Sequence, residues 1–487
     1  MEGASLDTIP EGAKRIIEKL NECGHSAYIV GGCVRDMMLS RTPNDWDICT
    51  SAKPEEVMGV FGAKNQNANE GGETANRVNE INSDQIRYKV IPTGLKHGTV
   101  TIHMSESYEV TTFRVDGAYT DSRHPDSVEF ISSVEDDLAR RDFTINAMAL
   151  SHAGRHAGLV DPFGGMDDLE KGIIRCVGDP EKRFSEDALR ILRCIRFAAQ
   201  LGFEIEEKTA AAMTKLAPLL DNIAAERIRV EFDKLLCGKG ALEVLKTHRQ
   251  VIAQFIPEAA TMFDLDQENP FHLYDVWMHT LHAVDSIPPE PVLRLAAFFH
   301  DIGKPPCKVV ADGWGHFYGH EKTGADMTNE IMHRLKYDNA TRHTVVRLID
   351  KHGIVFNPAG KQAGRLLHKL GEADLRRLIR LERADVSAQH PDYVKERLEN
   401  IDAFEKKVDD LIAADQVFQM RDLAIDGHDL ISIGITEGKV IGKIKRLLLE
   451  KVIDGELENE PDALIEEAKK CVKQHQRISE RKKHPLV

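Results

Sequence analysis

The spacing of apolar residues changes near Ser185, and this change constrains the fold more than any other feature of the chain. Before it, β-branched runs at 27–30, 100–102 and 108–112 follow an opening helix with the apolar stripe Ala13, Ile16, Ile17 and Leu20. After it, apolar residues recur three and four apart and proline is sparse. The sequence therefore predicts an α+β fold, with an N-terminal mixed sheet followed by all-α regions.

Length, charge and cysteine content limit the class of protein. A chain of 487 residues should form about three domains at about 150 residues each. The net charge of −15 excludes nucleic-acid binding through bulk positive charge but allows a local basic groove. Eight cysteines without a C-x-x-C pair favour reduced thiols. Because no signal peptide or membrane span is recognisable, we expect a soluble, cytoplasmic protein with no membrane partner.

Two polar segments lack an apolar face. Residues 64–88 are dominated by Asn, Glu, Gly, Gln and Ser, which predicts a flexible surface insertion. The basic run Arg477 to His484 closes the chain and is more typical of a solvated terminus than of a nucleic-acid-binding arm.

A glycine pair separates a strand from a helix in the segment Tyr28 to Asp36. At Gly31 and Gly32 the missing Cβ lets backbone N–H groups approach a phosphate, and the helix N-terminus adds positive potential. Arg35 could add a bidentate charge. Glycine pairs also end strands for steric reasons, so the pattern alone leaves both interpretations open.

Two aspartates follow this turn. On a strand, Asp45 and Asp47 would point to the same side, where their repulsion is relieved by a divalent cation. Two Mg²⁺ ions there would suit nucleotidyl transfer, one activating the attacking hydroxyl and the other neutralising the leaving pyrophosphate. Glu109 is the candidate for a third carboxylate, although a strand glutamate is often merely exposed. The alternative for the pair is a solvated D-x-D loop.

Four ordered motifs carry a resemblance to a known family: Gly31 to Asp36, Asp45 to Asp47, Arg140 to Ala147 and Glu186 to Arg190. Together they resemble bacterial class II tRNA nucleotidyltransferases, the CCA-adding enzymes of the polymerase-β-like superfamily. The likeness covers about 27–236 and, more weakly, 421–468. It implies a nucleotidyltransferase head, a neck, a body and a tail, with CTP and ATP as substrates and tRNA bound along the helical part. Bacterial poly(A) polymerases share most of the motifs.

The resemblance also assigns roles to residues. It implies that Asp45 and Asp47 are the catalytic metal ligands, and that the nucleotide is bound by Gly32, Arg35, Arg141, Asp142, Asp187, Arg190, Arg193 and Arg196. Within this set Gly32 and Arg35 would hold the triphosphate, and Asp142 would lie near the ribose. The last four residues are three apart, so neighbouring members would adjoin on one helix, and a polyanion would relieve the repulsion of the arginines. The alternative is a solvated basic face.

Hydrogen-bond chemistry indicates which bases such a site admits. Cytosine and adenine each present an amino donor beside a ring-nitrogen acceptor, which suit the Asp187 carboxylate and the Arg190 guanidinium respectively. Uracil and guanine present the reverse pattern. The segment Arg114 to Phe130 resembles the family's flexible loop, and CC-adding relatives lack that loop. This favours template-independent addition of the whole CCA end, with poly(A) polymerase or A-only addition as the alternative.

A second constellation comprises His279, His300, Asp301 and Asp385. Such ligands on separate helices suit Mg²⁺, Mn²⁺, Ni²⁺ or Fe²⁺, and their order resembles the HD phosphohydrolase domain. His320, His343 and His352 could serve a second metal, although histidines on helices are often ordinary core or surface residues. In relatives, such domains resemble phosphatases and cyclic phosphodiesterases that act on damaged 3′ ends, or are only structural.

These observations predict a nucleotidyltransferase head at 1–155 that includes the insertion, and a helical neck and body at 156–265 that select the nucleotide and bind RNA. An HD domain at 266–400 and a tRNA-binding tail at 401–487 would follow. Two other functions stay open: a tRNA-binding protein with a decayed head, against which the intact Asp45 and Asp47 argue, and an HD phosphohydrolase with the head as a sensor. The sequence leaves the oligomeric state and the identity of the HD metal open.

Overall fold

A computed structural model describes residues 6–62, 88–117, 127–155, 157–414 and 419–471. They form two compact units, Met1–Ala260 and Thr261–Val487. None of the helices in this described part combines the length and hydropathy that a membrane span requires. The predicted insertion apart from Tyr88, residues 118–126 of the loop, and the basic run at 477–484 lie outside the described residues.

A mixed sheet of seven strands organises the first unit. Its order is β3-β4-β5-β2-β1-β8-β9, in which β2 and β5 are parallel and the other pairs are antiparallel. The strands are β1 (Ala27–Val30), β2 (Asp47–Thr50), β3 (Lys89–Gly94), β4 (Thr99–His103), β5 (Ser107–Thr112), β8 (Ala149–Ser151) and β9 (Gly158–Val160). All three predicted strand runs are confirmed.

Two strand pairs and eleven α-helices accompany the sheet in the described residues of this unit. The pairs are β6 (Arg114–Asp116) with β7 (Val128–Phe130), and β10 (Ile173–Ile174) with β11 (Glu204–Ile205). The helices are α1 (Glu11–Glu22), α2 (Gly32–Met38), α3 (Pro54–Gly62), α4 (Val134–Ala139), α5 (Gly165–Lys171), α6 (Pro180–Glu186), α7 (Leu189–Leu201), α8 (Glu207–Leu216), α9 (Ala225–Leu236), α10 (Ala241–Thr247) and α11 (Arg249–Phe255).

Burial follows the apolar stripes. The four residues of the predicted α1 stripe are fully buried, which confirms that helix. A core cluster joins Tyr28 and Val30 of β1 and Cys49 of β2 to Val134 and Leu138 of α4. This packing fixes the ends of β1 and β2, where the glycine turn and the aspartates stand.

Among its described residues, the second unit has helices and connecting loops apart from one hairpin. Its helices are α12 (Val276–Ser286), α13 (Pro291–Phe299), α14 (Lys304–Cys307), α15 (His320–Arg334), α16 (Asn339–Lys351), α17 (Gln362–Ser387), α18 (Pro391–Ala413), α19 (Gly427–Ser432) and α20 (Gly438–Ile453). The hairpin pairs β12 (Val309–Ala311) with β13 (Trp314–His316), which the all-α prediction missed. Its turn, Asp312-Gly313, has φ of 55° and 81°, typical of a two-residue hairpin turn. Within α17 the backbone leaves helical geometry at Gly371, where φ is 75°.

The division between the units, after Ala260, lies close to the predicted boundary at 265/266. The finer boundaries at 155/156 and 400/401 stay predictions. A separate apolar cluster in the predicted tail includes Leu430, Leu448 and Leu464.

Candidate functional site

The glycine turn brings the backbone against an arginine. Gly31 has φ of 82°, and its N–H donates to the Met148 carbonyl over 3.1 Å. A Cβ placed on Gly31 would stand 2.9 Å from Nη1 of Arg141. The backbone angle therefore favours glycine at this position, and a side chain there would also displace the Arg141 guanidinium. The helix α2 begins at the next residue, Gly32.

Arg35 is less available than the sequence suggested. It is buried, Nε and Nη2 donate to the Asp36 carboxylate over 2.9 and 3.0 Å, and Nη1 donates to Oδ1 of Asn146 over 2.8 Å. Its guanidinium also lies 5.0 Å from the centre of the Phe197 ring. These contacts hold Arg35 beside the turn while using much of its donor capacity.

Three carboxylates gather at the start of β2. Asp47 is its first residue and pairs in register with Glu109 of the parallel strand β5, while Asp45 precedes the strand by two residues. The pKa of Asp47 is raised, first because neighbouring protein removes water and then by the charges of Glu109 and Asp45, whereas Arg141 lowers it. Crowded carboxylates of this kind fit a hard divalent cation. Glu109 therefore lies where the sequence proposed a third carboxylate.

Asp142 forms a buried ion pair. Its Oδ2 accepts from Nε and Nη2 of Arg193 over 2.7 and 2.5 Å. Its Oδ1 accepts from the Phe143 N–H over 2.9 Å and from Nδ2 of Asn146 over 3.2 Å. Burial alone would raise the pKa of Asp142, but the Arg193 charge and these hydrogen bonds lower it to about 2. The Asp142 carboxylate, which was predicted to lie near the ribose, thus already accepts hydrogen bonds from within the protein.

The predicted stripe on one helix is partly wrong. Asp187 lies outside α7, with φ of −139° and ψ of 103°, because it ends α6 and its Oδ1 accepts from the Leu189 N–H over 3.1 Å. Its Oδ2 lies 3.2 Å from Nη2 of Arg227. The sequence could have indicated the break, since aspartate is a preferred residue at a helix start.

The arginines of α7 are paired within the protein. Arg190 donates to Glu186 over 2.9 Å and to the Arg140 carbonyl over 3.0 Å, and Arg196 lies 2.5 Å from Glu231. Because Arg193 pairs with Asp142, each of the three arginines contacts a different carboxylate. Their mutual repulsion is therefore relieved by the protein, and they do not form a solvated basic face. On the same helix, Leu189, Leu192 and Ile195 are buried.

Sequence reasoning missed Asp137, which is fully buried. Its Oδ1 accepts from Arg140 over 2.8 Å, and its Oδ2 lies 3.4 Å from Nη2 of Arg141. Burial would raise the pKa of Asp137, but the charges of Arg140 and Arg141 hold it below its ordinary value. The spacings of three and four residues to these arginines were a readable signal for the pairing.

The second unit brings together two groups of possible metal ligands. The first comprises His279, His300 and Asp385, whose ligand atoms lie within 4.8 Å of one another. Nε2 of His279 is 2.9 Å from Oδ1 of Asp385 and 3.4 Å from Nε2 of His300. Each imidazole donates through Nδ1 to a backbone carbonyl, over 3.2 Å for His279 and 2.7 Å for His300. This turns both Nε2 atoms towards the shared point, as in histidines that bind metals.

The second group comprises Asp301, His320 and His352. Nδ1 of His320 and His352 likewise donates to a carbonyl, over 2.8 and 2.5 Å. Asp301 lies between the groups, with Oδ2 3.2 Å from Nε2 of His300 and Oδ1 3.5 Å from Nε2 of His320. The expectation for His343 is wrong: it is exposed on α16 and belongs to neither group.

Charge in this region is tightly coupled. Burial would lower the pKa of His300, but the neighbouring Asp301 raises it to about 9. Burial would raise the pKa of Asp385, but the hydrogen bond and charge of His279 lower it. Lys304 is buried and its Nζ lies 2.6 Å from Oδ2 of Asp301.

A cavity of about 320 Å³ adjoins these groups and is lined by Asp301, Lys304, His320, His352 and Asp385, with His272 and Gln389 among the others. His272 is a further residue that the sequence did not single out.

Three family descriptions match the chain. They are "Poly A polymerase head domain" over residues 27–175, "Probable RNA and SrmB-binding site of polymerase A" over 202–262, and "tRNA nucleotidyltransferase domain 2 putative" over 312–468.

Whole-length relatives carry one name. The chain is 33% identical over 464 residues to the CCA-adding enzyme of Leuconostoc mesenteroides, covering 94% of this chain and 96% of that one. It is 33% identical over 471 residues to the CCA-adding enzyme of Enterococcus faecalis, covering 96% and 98%. The crystal structure of the Bacillus stearothermophilus CCA-adding enzyme in complex with CTP is similar, with a TM-score of 0.66 and 27% identity over 96% of this chain and 98% of that one.

Proposed function

We infer that this chain, which belongs to the family of CCA-adding enzymes, adds the terminal C-C-A of tRNA from CTP and ATP by nucleotidyl transfer with release of pyrophosphate. The observation that carries this inference is the likeness to the Leuconostoc enzyme along 96% of that enzyme's length. The intact carboxylates at the start of β2 agree with an active head. A head domain alone would also suit poly(A) polymerases, but the full-length relatives do not favour that alternative.

Nucleotidyltransferases of this family depend on a divalent metal, and we assign Mg²⁺ to Asp45 and Asp47, with Glu109 as a third ligand. Their oxygen donors and crowded charges suit this hard cation. Bound there, Mg²⁺ would lower the pKa of the attacking 3′ hydroxyl and neutralise the leaving pyrophosphate. Gly32 and Arg35 would position the triphosphate at the start of α2, and Arg141 would add charge from the other side of the turn.

Asp187 and Arg190 would read the base. They adjoin through the start of α7, where the Arg190 N–H donates to the Asp187 carbonyl over 3.0 Å. Asp142 and Arg193 support this region as a buried pair, and Arg196 is held by Glu231. The two residues proposed to bind the hydrogen-bonding edge of cytosine or adenine, Asp187 and Arg190, are therefore adjacent.

Transcripts of tRNA that end before C, before the second C and before A test this function. The purified enzyme with labelled CTP and ATP should extend all three to the same CCA end and then stop. Extension of the last transcript alone would identify an A-adding enzyme, and a ladder beyond A would identify a poly(A) polymerase.

Arg190→Ala should relax the choice of base. We expect the preference for CTP over UTP to fall by roughly 10²-fold, because a polar site loses its strongest rejection when one partner is removed. The ratio of incorporation rates measures this independently of any general loss of activity. The matched control is Lys215→Ala, an exposed cation of α8 that lies 2.7 Å from Glu181. An unchanged ratio in Arg190→Ala would refute the role in base reading.

A second function is proposed for the two groups of ligands in the second unit: an HD phosphohydrolase that cleaves phosphate esters of RNA ends or nucleotides. Imidazole and carboxylate donors at these distances suit Mn²⁺, Ni²⁺, Fe²⁺ or Mg²⁺. Asp301 could bridge two ions, since one of its oxygens faces each group. A bound metal would lower the pKa of a water molecule for attack on phosphorus.

His300→Ala/Asp301→Ala should remove metal from the protein. We expect elemental analysis to show at least one equivalent less than in the wild type, while tRNA nucleotidyl transfer is retained. His343→Ala is the matched control because this histidine is exposed and outside both groups. Equal metal content in the double variant and the wild type would exclude the site.

A further inference from the structure

A stacked pair of aromatic side chains borders the cavity of the second unit. The ring centres of His316 and Tyr318 are 5.3 Å apart and their planes differ by 6°. Both residues line the cavity that contains Asp301, His320 and His352. Tyr318 is nevertheless 75% exposed. His316 lies parallel to the Tyr318 ring, and the exposure of Tyr318 leaves a ring face open to a flat ligand.

The backbone that carries this pair is held in place. The Gly315 N–H donates to the Glu268 carbonyl over 2.8 Å, and a Cβ on Gly315 would stand 2.1 Å from the Gln267 carbonyl oxygen. Gln267 is buried and accepts from Nζ of Lys304 over 2.8 Å. Lys304 in turn contacts Asp301. The aromatic pair and the candidate ligands therefore belong to one hydrogen-bonded framework.

The open ring and the metal donors are near one another in the chain and border one cavity. Tyr318 precedes His320 by two residues, which places their Cα atoms at most about 7 Å apart. Both residues line the same cavity of about 320 Å³, so one ligand can contact both. Every nucleobase has a flat face that stacks on aromatic side chains without regard to sequence. A phosphate ester without a base would leave the ring unused.

We propose that this cavity takes a nucleoside phosphate, free or at an RNA end, with its base stacked on Tyr318 and its phosphate at Asp301, His320 and His352. This assignment rests on the proposed phosphohydrolase and adds its specificity-determining residue. Tyr318 distinguishes nucleotides from other phosphate esters, and His316 supports the ring from behind.

Fluorescence of 2-aminopurine tests the stacking, because this base is quenched when it stacks. The ribonucleoside monophosphate of 2-aminopurine, and a short RNA ending in it, are titrated into the full-length protein after removal of metal with EDTA. Tyr318→Ala should weaken the affinity measured from quenching by about 5- to 100-fold, the effect expected for one lost base stack.

Tyr318→Phe should bind like the wild type. Tyr393→Ala, which removes another exposed tyrosine outside the cavity, should also leave binding unchanged. Nucleotide binding at the head contributes equally in all variants. The two probes show whether free nucleotides or RNA ends bind more tightly.

Equal affinities of Tyr318→Ala and the wild type would overturn the proposal, as would a loss in Tyr318→Phe equal to that in Tyr318→Ala. Measurements of hydrolysis distinguish a failure of the stacking proposal from a failure of the proposed phosphohydrolase function. With metal restored, Tyr318→Ala should raise KM for AMP and leave ribose 5-phosphate unaffected. If the wild type cleaves neither ester, the phosphohydrolase fails while the fluorescence result still decides on stacking.

Discussion

Asp47→Asn should reduce addition of CMP and AMP to tRNA by about 10³-fold or more, because the amide keeps the shape of the side chain but removes the charge proposed to bind the cation. The variant should stay folded. Asp47 is the exposed first residue of its strand, and its pKa is raised, first by removal of water and then by Glu109 and Asp45, so its negative charge does not stabilise the native protein. Initial rates with saturating CTP and ATP measure the effect.

Glu55→Gln is the matched control, an exposed carboxylate on the neighbouring helix α3, and should retain wild-type rates. Metal bound in the second unit should be the same in both variants. A rate for Asp47→Asn within tenfold of the wild type would contradict the assignment of the catalytic metal. If CCA addition is lost but hydrolysis of phosphate esters is unaffected, the two activities belong to separate sites.

Asp142→Asn should destabilise the protein by about 2 kcal/mol at neutral pH. This follows from the pKa of about 2 in the folded protein against an ordinary value of 3.8. Because the folded pKa is the lower one, the stabilisation is present above about pH 4 and is lost as the pH falls towards 2. Urea unfolding of the wild type and the variant between pH 7 and pH 3 measures this, and the difference should shrink over the acidic end.

The exposed Glu204 in β11 provides the control, since Glu204→Gln should change stability little at any of these pH values. A difference between wild type and Asp142→Asn that grows on acidification would show that the Arg193 pair does not stabilise the fold.

Local patterns predicted much of this structure. The strands beside the site follow from β-branched runs, and α1 and the buried side of α7 follow from helical spacing. The hairpin at 309–316 was also predictable, because Asp312-Gly313 is a preferred two-residue turn. The position of Asp187 outside α7 depends on competition between continuing a helix and capping the next one, which spacing alone does not resolve.

Contacts between distant residues were beyond such patterns. Arg35 donates to Asn146, 111 residues later, and Arg193 pairs with Asp142 across 51 residues. The resemblance named both arginines but gave no sign that acceptors within the protein already hold them. In the second unit the order of His279, His300, Asp301 and Asp385 was informative, yet their grouping with His320 and His352, and the exclusion of His343, depended on packing.

The internal pairing of the α7 arginines has a consequence for how ligands are discriminated. Under the proposed role of Arg190 in base reading, a nucleotide that binds its Nη1 and Nη2 would displace Glu186 and the Arg140 carbonyl, so binding would be an exchange of partners. A base with the wrong edge would break these bonds without restoring their equivalent. Under this proposal, selectivity would depend on the stability of the hydrogen bonds in the nucleotide-free site as much as on attraction to the incoming base. We therefore expect it to depend only weakly on ionic strength.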